Sequence, residues 1–389
     1  MNDIFVKAPK GLGRPAKALF SAAFLGVLAA CDLPAVGTQE PGEGTVQVAL
    51  LVPYGSPTPG DIGLAASLEK AAFLAAADLG DEVEITVYPT SGLASVAAQA
   101  ASQAVDEGAD VILGPLRSDA AAAAAVATRR AGVNVLSFSN NAAIAGGNLF
   151  VLGNTFDNTA ERVISYAAGQ GQSRIAVVHP QTPVGEIARN AIARAAARSG
   201  ASIVGEQGFE FSQQGIVQAV PAMSALINGS AANAIMITSD STGALPILAQ
   251  LLPENGVDPA QFKYLGLARW DIPPQTLAYP GLQGGWFAIP DPSLTAQFDA
   301  RYTDANGEPP VALASLAFDG MAAIGALASQ DLAISAGNLT QASGFAGVNG
   351  VFRFLPGGTN ERALAIAEIQ DGQVQIVDPA PNSFGTGGF

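Results

Sequence analysis

The chain has 389 residues, of which 49% are hydrophobic and only 13% charged. Its acidic residues outnumber its basic ones 33 to 18, for a formal charge of -15. Such a surface repels phosphate backbones and anionic headgroups, which excludes nucleic acid as a partner. The length suits two domains rather than one. Long periodic stretches exclude disorder, and a single continuously apolar segment excludes an integral membrane bundle.

That segment lies at the start. Lys7, Lys10, Arg14 and Lys17 precede the apolar run 18–30, ALFSAAFLGVLAA. As a helix the run is roughly 20 Å long, short of the about 20 residues a permanent span needs. Residues 1–30 therefore read as a signal peptide. The run ends Leu28-Ala29-Ala30-Cys31, and Cys31 is the one cysteine of the chain. This ending resembles the lipobox of bacterial lipoproteins, in which the cysteine is lipidated and becomes the first residue of the mature protein. The resemblance implies a lipid anchor on the periplasmic side of the envelope. Asp32 resembles an inner-membrane retention signal. A lone cysteine also excludes an intrachain disulfide. Residues 31–45 are the lipidated cysteine and a Gly- and Pro-rich tether without periodicity.

From Val46 strands and helices alternate. VQVALLVPY (46–54) reads as a buried strand, 60–79 as a helix, VEITVYP (83–89) as a strand, 93–107 as a helix and ADVILGP (109–115) as a strand. The alanine-rich segment 118–131 is helical, and GVNVLSFS (132–139) and NLFVLG (148–153) are strands. Helices 157–169, 184–199, 213–229 and 241–252 then alternate with strands RIAVVHP, ASIVGEQGF, NAIMITS and KYLGLARW, and GGWFAIP follows. The tail departs from this order, with helices over 292–304 and 311–329. Strands GVFRFLP, ALAIAEIQDG and QVQIVDP follow, the last two joined by a hairpin turn at Asp371-Gly372.

This alternation predicts parallel sheets flanked by helices, divided between two lobes because one compact sheet cannot hold so many strands. The expected organisation is lobe 1 over 46–155, lobe 2 over 156–290, a segment 291–379 that returns to complete the lobes, and a loose tail at 380–389. A TIM barrel is the competing arrangement, but three late strands spoil an eightfold repeat.

The stretches VALLVPYGSPTPGDIGLAASLEKAAFLAA (48–76), DEGADVILGPLRSDAAAAAA (106–125), GVNVLSFSNN (132–141), FVLGNTFDNTAERVISYA (150–167), RIAVVHPQTPVGEIARNA (174–191) and ASLAFDGMAAIGALA (314–328) resemble the two-lobed type I periplasmic binding protein fold. Within that fold, residues 264–291 and 344–369 resemble lipoproteins described as penicillin-binding protein activators. The resemblance implies a membrane-tethered regulator that binds a class A penicillin-binding protein and stimulates peptidoglycan synthesis. The alternative is a leucine-binding-like receptor of an ABC importer, partnered by a permease and taking a small amino-acid-like ligand.

In such folds a ligand sits among loops at the C-terminal ends of the strands, where helix N-termini offer free N–H groups. After the third strand come Arg117 and Ser118. By resemblance Ser118 holds a ligand carboxylate; alternatively it only caps the next helix. Arg117 attracts a carboxylate or is plain surface. Ser139 matches a position that holds the α-amino and carboxylate groups in amino-acid receptors, or it makes an ordinary turn. Asp240 meets an ammonium group or favours a helix start. Trp270 lies near a cleft or partner surface, and Trp286 lies in the core. The loop His179 to Gly185 departs from the amino-acid-receptor pattern, because Val184 replaces the aromatic that would cover the ligand and the loop's aspartate is missing. No HExxH, CxxC, EF-hand, GxSxG or phosphate-binding glycine pattern occurs. The expectation is a binding protein, not an enzyme, without metal or cofactor.

Overall fold

The computed structural model describes residues 44–385. The expected signal peptide and Cys31 lie outside the described residues.

The first half alternates as its apolar pattern dictates. Strands β1 (Val46–Val52), β2 (Val83–Pro89), β3 (Val111–Leu113), β4 (Asn134–Ser137) and β5 (Leu149–Val151) form one parallel sheet in the order β2-β1-β3-β4-β5. Helices α1 (Asp61–Ala76), α2 (Ala94–Asp106) and α3 (Ser118–Thr128) cover it. Residues 48–52 are buried without a break because both faces are covered. On one face α2 and α3 offer little but methyl groups, Ala100, Ala101 and Ala104 against Ala121, Ala124 and Ala125, so the helices pack close over Ile112 and Val135.

The chain then leaves this sheet through residues 152–155. Helices α4 (Phe156–Gly169), α5 (Pro183–Ser199), α6 (Gln213–Gly229) and α7 (Leu245–Glu254) alternate with β6 (Arg174–Pro180), β7 (Ser202–Phe209), β8 (Ala234–Ile237), β9 (Lys263–Gly266) and β10 (Trp286–Ile289). A second crossing, residues 290–291, returns the chain to the first lobe. There α8 (Pro292–Asn306) and α9 (Ser315–Ala328) pack on α1, and Phe298, Tyr302 and Ile324 enter the first core. The short helix α10 (Ala336–Leu339) leads to β11 (Phe345–Gly347), β12 (Gly350–Phe354) and β13 (Asn360–Arg362), a small antiparallel sheet whose Phe345, Phe352 and Phe354 close the same core. A third crossing at residues 363–364 delivers β14 (Ala365–Gln370) and β15 (Gln373–Asp378) to the second sheet, in the order β15-β14-β10-β9-β8-β6-β7. β14 and β15 pair antiparallel, and Asp371 and Gly372 turn the hairpin at φ 51 and 70. Two separate sheets exclude the closed barrel.

Side chains tie the first and third crossings together. Arg362, 3% exposed, donates from Nε to the Leu152 carbonyl (2.8 Å) and from Nη1 to Asp319 Oδ2 (2.8 Å). Asp319, fully buried on α9, also accepts from the Val348 N–H (2.8 Å) and Asn349 Nδ2 (2.8 Å). Asn360 donates to the carbonyls of Val151 (2.5 Å) and Gly153 (3.0 Å) and accepts from Asn158 Nδ2. On the far side, Arg162 of α4 donates to the Leu364 carbonyl (2.6 Å).

Replacing Arg362 by Met strands a buried carboxylate. The expected cost in chemical denaturation is about 3–5 kcal/mol, and the double variant R362M/D319L is expected to recover most of it. Equal losses in the single and double variants would contradict this account.

Candidate functional site

In both sheets the parallel strands end in loops at one edge, and these loops carry the candidate residues. In the first lobe, Ser56 Oγ donates to Asp61 Oδ2 (2.6 Å), and Arg117 Nη2 reaches the same oxygen (2.6 Å). Arg117 is thus a brace between the loops after β1 and β3, not plain surface. Its side chain is still 40% exposed, so part of the guanidinium stays open to solvent. The Ser56 hydroxyl, and after it Arg117, holds the Asp61 carboxyl below the usual carboxylate range.

Ser118 is the first residue of α3, and the cap position belongs to Arg117, which makes no side-chain cap. The Ser118 hydroxyl therefore does not cap the helix. It has no hydrogen-bond partner among the described residues and sits half-buried at a helix start where Asp119 Oδ1 accepts from the Ala120 N–H (2.9 Å). Ser139 is buried, and its hydroxyl oxygen accepts from the Asn141 N–H (3.1 Å). The turn uses an acceptor position and leaves the hydroxyl proton free to donate. The Ser139 carbonyl accepts from the Gly153 N–H (3.0 Å). The first crossing runs so close here that a Cβ on Gly153 would lie 2.6 Å from that carbonyl oxygen, which explains the glycine.

Three residues further on, Phe156 lines a cavity of about 410 Å3 in the second lobe. Thr182 and Val184 enter it from the loop after β6, Phe211 from the loop after β7, Thr238, Ser239 and Asp240 from the loop after β8, and Ala268 from beyond β9. Asp240 is exposed, and its Oδ1 accepts from the N–H (3.0 Å) and hydroxyl (2.9 Å) of Thr242. No described residue bonds Oδ2. The helix α7 starts only at Leu245, so the helix-start reading of Asp240 is replaced by an Asx turn.

Phe211 is the residue that sequence reasoning missed. It is 58% exposed beside Val184, at 59%. It supplies an aromatic from the neighbouring loop where the β6–α5 loop has none. The available signal was an aromatic immediately before the α6 cap Ser212, at the same strand-to-helix junction as the other candidates.

Trp270 is a correction. It is fully buried in the core beneath β9 and β10, 5.7 Å from the Phe287 ring, and offers no face to a cleft. Gly266 and Gly285 make room for it, since a Cβ on either would lie within 2.6 Å of the indole. Trp286 packs at the other side of the sheet with its indole N–H donating to Glu368. His179 is buried, with Nδ1 3.2 Å from the Pro180 carbonyl. Among the described residues no cluster of three or more His, Cys, Asp or Glu could hold a metal ion, and no helix is long and apolar enough to cross a membrane.

Ser118, Ser139 and Arg117 do not line the cavity that holds Asp240. Two α/β lobes joined by three crossings, with loops at the C-terminal ends of the parallel strands in each, define a two-lobed architecture of the type I kind. The family model described as periplasmic binding protein matches residues 45–373, and the chain belongs to that family. This is a family of binding proteins, not of catalysts. No curated protein matches the chain.

Among solved structures, the chain is similar to a Rhodospirillum rubrum protein assigned to branched-chain amino acid ABC transport. The two share 19% identity with a TM-score of 0.72, over 86% of this chain and 100% of that one. It is similar to an ABC transporter substrate-binding protein from Desulfitobacterium hafniense in complex with Leu, at 17% identity and TM-score 0.64, over 86% and 100% of the two chains. A solute-binding protein from Rhodopseudomonas palustris BisB5, in complex with 3,4-dihydroxy benzoic acid, is 17% identical with TM-score 0.61, over 87% and 97%. These likenesses to ABC transporter proteins overturn the expected role as a penicillin-binding protein activator, and nothing in them supports a class A penicillin-binding protein partner.

Two measurements follow. Trp270→Ala is expected to cost about 3–5 kcal/mol in denaturant titration, because the indole leaves an apolar void. The depressed Asp61 carboxyl contributes stability that is fully present above the unfolded carboxylate value of about 3.9 and is lost as pH falls through its lower folded value. Asp61→Asn should therefore flatten the fall in stability below about pH 4; parallel acid curves for the two proteins would show that the brace carries no charge-dependent stability.

Proposed function

We propose that this chain is the substrate-binding receptor of an ABC importer, and that its ligand is an amino acid with an apolar side chain. The observation that carries this reading is the lobe-2 cavity, where Phe211 and Val184 form apolar walls beside the Asp240 carboxylate. A cavity of about 410 Å3 suits a small solute. A carboxylate with one oxygen unpartnered suits an ammonium group, and the apolar walls suit an aliphatic side chain.

On the first lobe, the Ser118 and Ser139 hydroxyls are the donors for the ligand carboxylate. The two lobes thus complement the two charges of a zwitterion. Rotation about the three crossings brings them together around it. Arg117 steadies the Ser118 loop and adds positive charge near it. In the same reading, Cys31 carries the lipid that holds the receptor at the periplasmic face of the envelope, Asp32 favours the inner membrane, and a permease accepts the solute.

Calorimetry of the unliganded protein against leucine, isoleucine, valine, benzoate and 3,4-dihydroxybenzoate tests the proposal. Binding of at least one apolar amino acid is expected, weakened about 10- to 100-fold by Asp240→Asn through loss of a charged hydrogen bond worth about 1.5–3 kcal/mol. Silence across the amino acids, or benzoate binding that Asp240→Asn leaves intact, would overturn it.

A further inference from the structure

The polypeptide crosses between the lobes three times, yet a fourth connection lies beyond β15. The strand ends in the second lobe, where Asp378 Oδ2 pairs with Arg162 Nη2 at 2.6 Å. Arg162 also donates to the Leu364 carbonyl of the third crossing, so the clamp sits at the hinge. Ala380 packs against the second-lobe core. Pro379 and Pro381 follow along a cavity of about 270 Å3 that lies between α4 of the second lobe and β13 of the first, lined also by Asn158, Glu361 and Arg362. Pro379 and Pro381 restrict the first half of this segment, and the chain bends at Asn382 and Ser383 before Phe384.

The segment then reaches the first lobe. The Phe384 ring lies 4.6 Å from the Arg353 guanidinium on β12. Arg353 is itself fixed by Glu361, from Nε at 2.7 Å, and by the Ala342 carbonyl. Gly344, at φ 67, leaves space for the ring, since a Cβ there would lie 2.9 Å from Phe384 Cε2. The segment thus starts on one lobe and reaches the other.

We infer that residues 379–384 are a strap that bridges the lobes behind the hinge and restrains their rotation. A six-residue link pinned at both ends, on bodies that turn about three nearby crossings, must either limit their angle or release Phe384. The strap sets the range of angles over which the cleft opens, and its release is a separate step from ligand contact. This inference is independent of the ligand's identity.

The test is a pulsed electron spin resonance distance between labels at Gln99→Cys on α2 and Gln218→Cys on α6, both exposed, in the chain carrying Cys31→Ser without added ligand. The parent is expected to give one narrow distribution. Phe384→Ala, and separately a chain ending at Pro381, are expected to broaden it about twofold, and Phe384→Tyr to restore it, since the ring-to-guanidinium contact survives. Phe384 is only half-buried, so its loss leaves the cores intact. Distributions unchanged in both the alanine variant and the shortened chain would overturn the strap.

Discussion

A guanidinium taken out of water has to be given acceptors, and Arg362 finds them on separate parts of the chain. Its partners are Asp319 on α9 and the Leu152 carbonyl in the first crossing, with the face of Phe352 alongside at 4.8 Å. Asp319 in turn orders the loop before β12 through Val348 and Asn349. The pair fixes where the third crossing passes the first, and so where the second sheet stands relative to the first. Removing either member leaves a charge that neither core can solvate, so the pair holds the pivot in place while the lobes remain free to turn about it.

With the hinge placed there, the direction of the strands decides what faces the cleft. In both sheets the strands that run parallel send their following loops to the same end, and the helices that follow begin there, α5 and α6 capped by Thr182 and Ser212. The first lobe presents hydroxyls at Ser118 and Ser139 beside the Asp61–Arg117 brace. The second presents Phe211 and Val184 with Asp240. One side suits an anion and the other a cation with an apolar body. This division of labour comes from loop composition carried on nearly the same scaffold.

Much of the candidate site could be read from the chain, but not the state of each group. Ser118, Ser139 and Asp240 stand at strand-to-helix junctions, which their spacing reveals. Whether Ser118 caps a helix depends on where α3 begins, a difference of one residue that propensity does not resolve. Arg117 looked free because its partner Asp61 lies 56 positions earlier. Trp270 looked like a ligand platform because a tryptophan after a strand is compatible with either side of a loop; only the packing of Gly266 and Gly285 against it shows that it turns inward. Phe211 went unread because the missing aromatic was sought in its own loop, while the fold supplies it from the neighbouring strand.

The strand–helix alternation, the two lobes and the hairpin at Asp371-Gly372 were legible along the chain, because they follow from local periodicity and turn chemistry of contiguous residues. Which distant segments meet was not: Arg362 with Asp319 and Leu152, Arg117 with Asp61, Phe384 with Arg353, and Phe211 and Val184 around one cavity. Local patterns record whether a residue prefers water or a core, and in which period. They carry no record of partners separated by tens or hundreds of positions, because those contacts exist only once the crossings have placed two lobes side by side.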